Sequence, residues 1–183
     1  RGIAGRIFVF KIAGAKAESG ISLEEVFNSA KEVNENIRTL GVALSPCILP
    51  EAGKPTFEIE NDEIEIGMGI HGEPGIKREK LKKADLLVDD LCKRILEDFK
   101  LTDKDEVSLM INSLGATPLE ELYIVSKRLH ENFLKLKIKI IKSYVGRYAT
   151  SLEMAGLSIT ILKLNSDLSQ SLLYPTECPF WVN

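Results

Sequence analysis

The chain has 183 residues, with hydrophobic residues at 44% and charged residues at 28%. That is enough for one ordinary domain with a core, or for a long piece of a two-domain protein. The formal net charge of -3 gives no electrostatic basis for binding nucleic acid, and no apolar run approaches the roughly 18 residues needed to span a bilayer.

Arg1 and Arg6 open the chain without the apolar stretch of a secretory signal. Starting at Arg1 and not Met, it reads as a fragment of something longer. Cys47, Cys92 and Cys178 are odd in number, far apart and lack a C-x-x-C pair, which fits a reducing cytoplasm better than a disulfide framework or a zinc site. His71 and His130 are too few for a histidine-rich metal centre.

In chain order, Arg6–Lys11 is β-branched and aromatic and predicts a strand. Ile12–Glu18 predicts a short helix ended by Gly20. Ser22 with Glu25 forms a capping box, and Val26, Ala30, Val33 and Ile37 then repeat at helical spacing as far as Gly41. Val42–Ser45 predicts a strand stopped by Pro46 and Pro50. Glu63–Gly69 alternates acidic and apolar residues and runs into a glycine-rich loop.

Leu81–Phe99 predicts a helix with Leu86, Leu87, Leu91 and Ile95 on one face. Glu106–Asn112 is a strand followed by the loop Ser113–Thr117. Pro118 then stands as the first residue of a helix to about Leu134. Lys135–Val145 alternates basic and apolar residues, a strand with one wet face. Leu157–Leu162 is the last strand, and a short helix from Ser166 precedes the tail. Strands and helices interleave, so the expected class is α/β: a layered sheet with helices mainly on one face.

Residues 67–72 spell G-x-G-x-x-G after a strand. A dinucleotide loop of that form opens a helix whose N-terminus meets the pyrophosphate. Here Glu73, Pro74 and Gly75 follow instead, which opposes that reading. Two readings stand. One is a glycine turn with an incidental histidine. In the other, the glycines let the backbone approach a small ligand, with His71 presented to it. A neutral imidazole nitrogen is a nucleophile and can add to a carbonyl.

The string Glu65-Ile66-Gly67-Met68-Gly69-Ile70-His71-Gly72-Glu73-Pro74-Gly75-Ile76 resembles the signature loop of the dihydroxyacetone kinase K subunit family. Further segments resemble that family in the same order: Arg1–Gly5 with Lys11–Ala15, Leu44–Cys47, Met110–Pro118 and Thr150–Gly156. The likeness covers nearly the whole chain. It implies that residues 1–183 are the C-terminal domain of a two-domain α/β subunit whose N-terminal domain is absent from this chain. It implies that the histidine at position 71 bonds dihydroxyacetone as a hemiaminal, with Gly69 and Gly72 beside the substrate. The family's general acid and base lie in the N-terminal domain. The subunit is a homodimer and binds no nucleotide itself. The nucleotide and magnesium sit on a partner L component, recharged by a phosphoenolpyruvate relay or replaced by ATP. No cofactor, nucleic acid or membrane is therefore expected on this chain.

Two rivals remain. A related non-catalytic protein would bind dihydroxyacetone through His71 and act with a transcription regulator. A fatty-acid-binding protein of related architecture is the other, and the His71 loop weighs against it. His130 reads as a surface residue near a helix end. Lys135, Lys137, Lys139 and Lys142 read as a solvated strand face or a patch for an acidic partner. Ser113–Thr117 is a second ligand loop or a plain βα connection. Cys47 reads as a packed thiol.

Overall fold

The computed structural model describes residues 4–69, 73–179 and 181–182. Among them, five helices and eight strands follow in the order α1 (Arg6–Glu18), α2 (Leu23–Glu35), β1 (Ile37–Ala43), β2 (Glu63–Ile66), β3 (Lys77–Lys80), α3 (Ala84–Asp98), β4 (Glu106–Ser113), α4 (Leu119–Lys135), β5 (Lys139–Gly146), β6 (Gly156–Leu164), α5 (Ser166–Leu173), β7 (Glu177–Cys178) and β8 (Trp181–Val182). Six strands form one sheet in the order β3-β2-β1-β6-β4-β5, and β7 and β8 make a separate hairpin. Only β4 and β5 pair in parallel within that sheet, joined by the α4 crossover.

Alternation along the strands divides the core. Val107, Leu109 and Ile111 of β4 and Leu157, Ile159 and Ile161 of β6 pack against α3 and α4. Met110 of β4, and Leu162 and Leu164 of β6, point the other way, onto Phe8 and Ile12 of α1, Val33 of α2, and Leu168 and Leu172 of α5. The layered α/β class is as expected. The helices, however, cover both faces, two on one and three on the other, and are not gathered mainly on one.

The expected strand at Arg6–Lys11 is helical. Phe8, Ile12 and Ala15, four and three residues apart, are buried on one side of α1, so helical burial overrides local β propensity. The capping box of α2 forms as expected, with Ser22 Oγ accepting from Glu25 N–H. That helix stops at Glu35. Asn36 caps it with backbone bonds to Glu32 and Val33, and Ile37 opens β1, so Gly41 lies inside a strand instead of ending a helix.

Strand β3 is not signalled by apolar alternation, since all four of its residues are charged. It is held by cross-strand partners, Glu65 opposite Arg78 and Glu63 opposite Lys80. The basic stripe from Lys135 also resolves differently. Lys135 lies in the last turn of α4, Lys137 takes a left-handed conformation (φ 59°), and Lys139 on β5 pairs with Glu106 at 2.6 Å. These lysines do not share one strand face. No described helix is long and apolar enough to cross a membrane.

Candidate functional site

Strands β1 and β4 end, and β6 begins, at one end of the sheet: Ala43 lies opposite Gly156, and Ser113 opposite Leu157. Beside them, β2 places Ile66 opposite Val42. The connections leaving this end therefore gather there.

The first is the glycine loop. Gly67 leaves β2 at φ +80° and donates its N–H to Gly41 O at 2.7 Å. A β-carbon on it would meet Ile76 at 3.0 Å, so both φ and space favour glycine. Three bonds fasten the two legs of the loop. Ile76 N–H reaches Ile66 O at 2.8 Å, Gly75 N–H reaches Glu65 Oε1 at 2.9 Å, and Gly69 N–H reaches Glu73 O at 3.2 Å. The two ends of the loop, Gly69 and Glu73, are thus bonded to each other across the sequence Ile70-His71-Gly72. Of the expected site residues, Gly69 is described, and His71 and Gly72 lie outside the described residues.

The second loop follows β4. Ser113 Oγ donates to Thr117 O at 2.8 Å and accepts from Gly115 N–H at 3.1 Å. Thr117 Oγ1 accepts Gly156 N–H at 2.8 Å, and Ala116 N–H reaches Met154 O at 3.0 Å. This is a built junction with the third connection, Thr150–Gly156, and more than a bare strand-to-helix link. Pro118 precedes the first helical residue of α4, one place from its expected position.

The fourth segment follows β1. Leu44 N–H donates to Ala155 O at 2.8 Å, and Ala155 N–H donates back to Ser45 Oγ at 3.0 Å. The Cys47 thiol is 1% exposed, within 3.4 Å of Ser151 Oγ and 3.6 Å of Thr56 Oγ1, a packed group as expected. Beneath all four segments lies one buried cluster, Ala43, Cys47, Met68, Leu114 and Met154. Each segment contributes a side chain, so their relative placement is fixed by packing. A cavity lined by Leu49, Pro50, Glu51, Thr150 and Leu152 opens between the segment after β1 and the Thr150–Gly156 connection.

Two supporting residues have roles that the sequence alone does not show. Asn112, fully buried, accepts the N–H groups of Tyr148 and Ala149 on Oδ1 and donates to Ala149 O and Ser158 Oγ. Glu65, 8% exposed, binds Gly75 and Arg78. Burial pushes its carboxyl upward, but the hydrogen bonds from Arg78 and Gly75 and the Arg78 charge outweigh this and hold it below the usual carboxylate range. Both residues act on partners distant in sequence, which no local pattern reveals.

His130 stands apart. Its Nδ1 donates to Ser126 O at 2.8 Å and its Nε2 lies 3.0 Å from Ser143 Oγ, pinning α4 to β5. Among the described residues no group of three or more His, Cys, Asp or Glu side chains could hold a metal ion.

The chain thus has a six-stranded mixed sheet with four fixed connections at one end, one of them carrying a glycine-framed histidine in its sequence, and the family whose pattern it matches is the Dak1 domain. Residues 1–180 match that family, and the chain belongs to it. Among its relatives is the dihydroxyacetone-binding subunit DhaK of PTS-dependent dihydroxyacetone kinase 1 from Listeria innocua, 50% identical over 91% of this chain and 51% of the relative. Among solved structures, the dihydroxyacetone kinase operon co-activator DhaQ superposes with a TM-score of 0.89 at 33% identity, over 96% of this chain and 55% of that one. The dihydroxyacetone kinase from C. freundii, solved with AMP-PNP and Mg2+, gives 0.81 at 35% identity, over 97% of this chain and 32% of that one. The chain thus spans about half or less of the proteins it matches. A DegV lipid-binding protein from Thermotoga maritima shares the fold alone, with a TM-score of 0.60 at 11% identity.

Proposed function

We propose that this chain is the substrate-holding part of a dihydroxyacetone kinase, and that His71 captures dihydroxyacetone as a covalent hemiaminal for phosphoryl transfer to its terminal hydroxyl. The observation that carries this reading is the fastening of both legs of the Gly67–Gly75 loop at the sheet end where three of the other family-like segments, Leu44–Cys47, Met110–Pro118 and Thr150–Gly156, meet.

The chemistry suits a small ligand. The lone-pair nitrogen of a neutral imidazole bonds to the C2 carbonyl carbon, and the C=O π pair moves to oxygen. That oxygen takes up a proton while the other ring nitrogen gives one up, so the adduct is neutral. A triose offers few contacts, and a bond to carbon selects ketones over glycerol, which has no carbonyl. The bond also fixes the terminal hydroxyl relative to the phosphoryl donor. Gly69 and Gly72 would let the backbone approach the substrate.

The general acid and base are assigned to the N-terminal domain of the family polypeptide. The nucleotide and magnesium are assigned to a partner L component, and no step in this chain is routed through them. A homodimer is the proposed assembly. The likeness to the DhaQ co-activator favours a second reading, in which the same capture serves sensing with a transcription regulator.

Carbon-13 NMR of dihydroxyacetone labelled at C2, bound to the natural polypeptide, tests the proposal. A bound tetrahedral carbon that vanishes in His71→Ala is the expected result, and an adduct that persists in that variant would overturn it. Phosphorylation of the captured ketone by an L component separates kinase from sensor.

A further inference from the structure

Among the described residues, Lys11 and Glu65 are the buried charged side chains, each 8% exposed. Lys11 is accounted for by the carbonyls at the end of α5, Ser171 O at 3.3 Å and Tyr174 O at 2.6 Å. Glu65 is not explained by packing. It sits on β2 two residues before Gly67, and burying a carboxylate is costly unless its oxygens are bonded.

The two oxygens of Glu65 are used differently. Oε2 accepts from Arg78 Nη2 at 2.9 Å and Nε at 3.3 Å, on the neighbouring strand. Oε1 accepts the N–H of Gly75 at 2.9 Å, which lies outside the β2–β3 ladder on the loop side. The strand pairing alone would close a hairpin, so the side chain extends that closure into the loop. Gly75 must be glycine for this contact: a β-carbon there would lie 2.5 Å from Ile66 O and 2.7 Å from Glu65 Cγ.

We propose that Glu65 is a positioning residue for the His71 loop: its buried carboxylate, fixed by Arg78, fastens the Gly75 leg and sets the pose in which residue 71 meets a ketone. This inference rests on the His71 reading. A nitrogen adding to a carbonyl must approach at the right distance and angle, and a displacement of about 1 Å costs roughly a hundredfold. Glutamine at position 65 keeps an acceptor for Gly75, but its amide nitrogen cannot accept from the guanidinium, so the leg loses its anchor.

The test uses the natural polypeptide and three measurements: the affinity of the dihydroxyacetone adduct, the ring NMR signals of His71 without substrate, and the thermal midpoint. Glu65→Gln is expected to weaken the adduct about tenfold or more and to shift the His71 ring signals. Glu63→Gln, on the same strand but outside the loop contact, is expected to do neither. Adduct affinity within about twofold of the parent, with unshifted ring signals, would overturn the proposal. Should Glu65→Gln fail to fold, Arg78→Gln removes the anchor from the exposed side, and unchanged affinity there overturns it equally. If the adduct persists in His71→Ala, the capture reading itself fails. If it vanishes there but is intact in Glu65→Gln, only the role of Glu65 fails.

Discussion

Asn112 and Ala149 hold each other twice. The side-chain carbonyl of Asn112 accepts Ala149 N–H at 2.9 Å, and its amide donates to Ala149 O at 2.8 Å, as a paired strand residue would. A buried side chain thus stands in for a backbone partner and secures the turn between β5 and the Thr150–Gly156 connection. Asn112→Ala leaves Tyr148 N–H, Ala149 N–H and Ala149 O without these partners. A loss of about 3 kcal/mol or more is expected, read from urea unfolding with an unchanged slope.

Two glycines should respond in opposite directions to alanine. Gly115 has φ +149°, and a β-carbon there would sit 2.0 Å from Leu152 O, a backbone atom. Gly115→Ala must displace one of two site loops and is expected to destabilise the fold by about 2 kcal/mol or more. Gly14 is exposed within α1, and a β-carbon there would meet nothing within 4 Å. Gly14→Ala is expected to stabilise by about 0.5–1 kcal/mol. Paired thermal unfolding measures both.

Acid should weaken the link between β3 and α3. Hydrogen bonds from Lys77 and Lys82 hold the Glu79 carboxyl down to about 2, against an ordinary 4.5, and Arg94 adds a third contact at 3.0 Å. Its folded value is depressed, so its contribution is present above the unfolded value and is lost as pH falls from about 4.5 towards 2. Allowing for solvent screening, the loss is about 1 kcal/mol. Glu79→Gln should flatten that part of the stability profile, measured by denaturant titration across the range.

The thiols should differ sharply in reactivity. Burial, with Asp89 nearby, pushes Cys92 up to about 11, and Cys47 is also buried, whereas Cys178 is exposed. Native protein at pH 8 is expected to be alkylated first at Cys178, and all three cysteines should react once it is unfolded. Peptide mapping of the labelled protein identifies the order.

Much of this architecture was legible in local pattern. The Ser22–Glu25 box, the helix after Pro118, and the strands at Glu106 and Leu157 are signalled by neighbouring residues alone, and each appears close to where its pattern placed it. What failed depended on distant partners. Phe8 and Ile12 are helical because a sheet face lies against them, and Ile37 belongs to β1 because β6 offers it a partner at Leu162. Lys77–Lys80 forms a strand through charge pairing with β2, which apolar alternation does not encode. In the site, the glycines and histidine were visible as unusual chemistry. The bonding roles of Glu65, Asn112 and Thr117 were not, because their partners lie 10 to 46 residues away.

The strand order also bears on how the chain assembles. β6 is the last strand of the large sheet to be synthesised, yet it lies between β1 and β4. Before it arrives, β1–β3 and β4–β5 have no strand pairing with each other, and the β1–β6 pairing closes a loop of more than a hundred residues, Ala43 to Gly156. Such closure is slow. The floor under the four connections, which joins Cys47 to Met154, spans the seam that β6 fills. The proposed capture site is therefore complete only with β6 in place, and a nascent chain that stops short of β6 lacks the centre of its sheet.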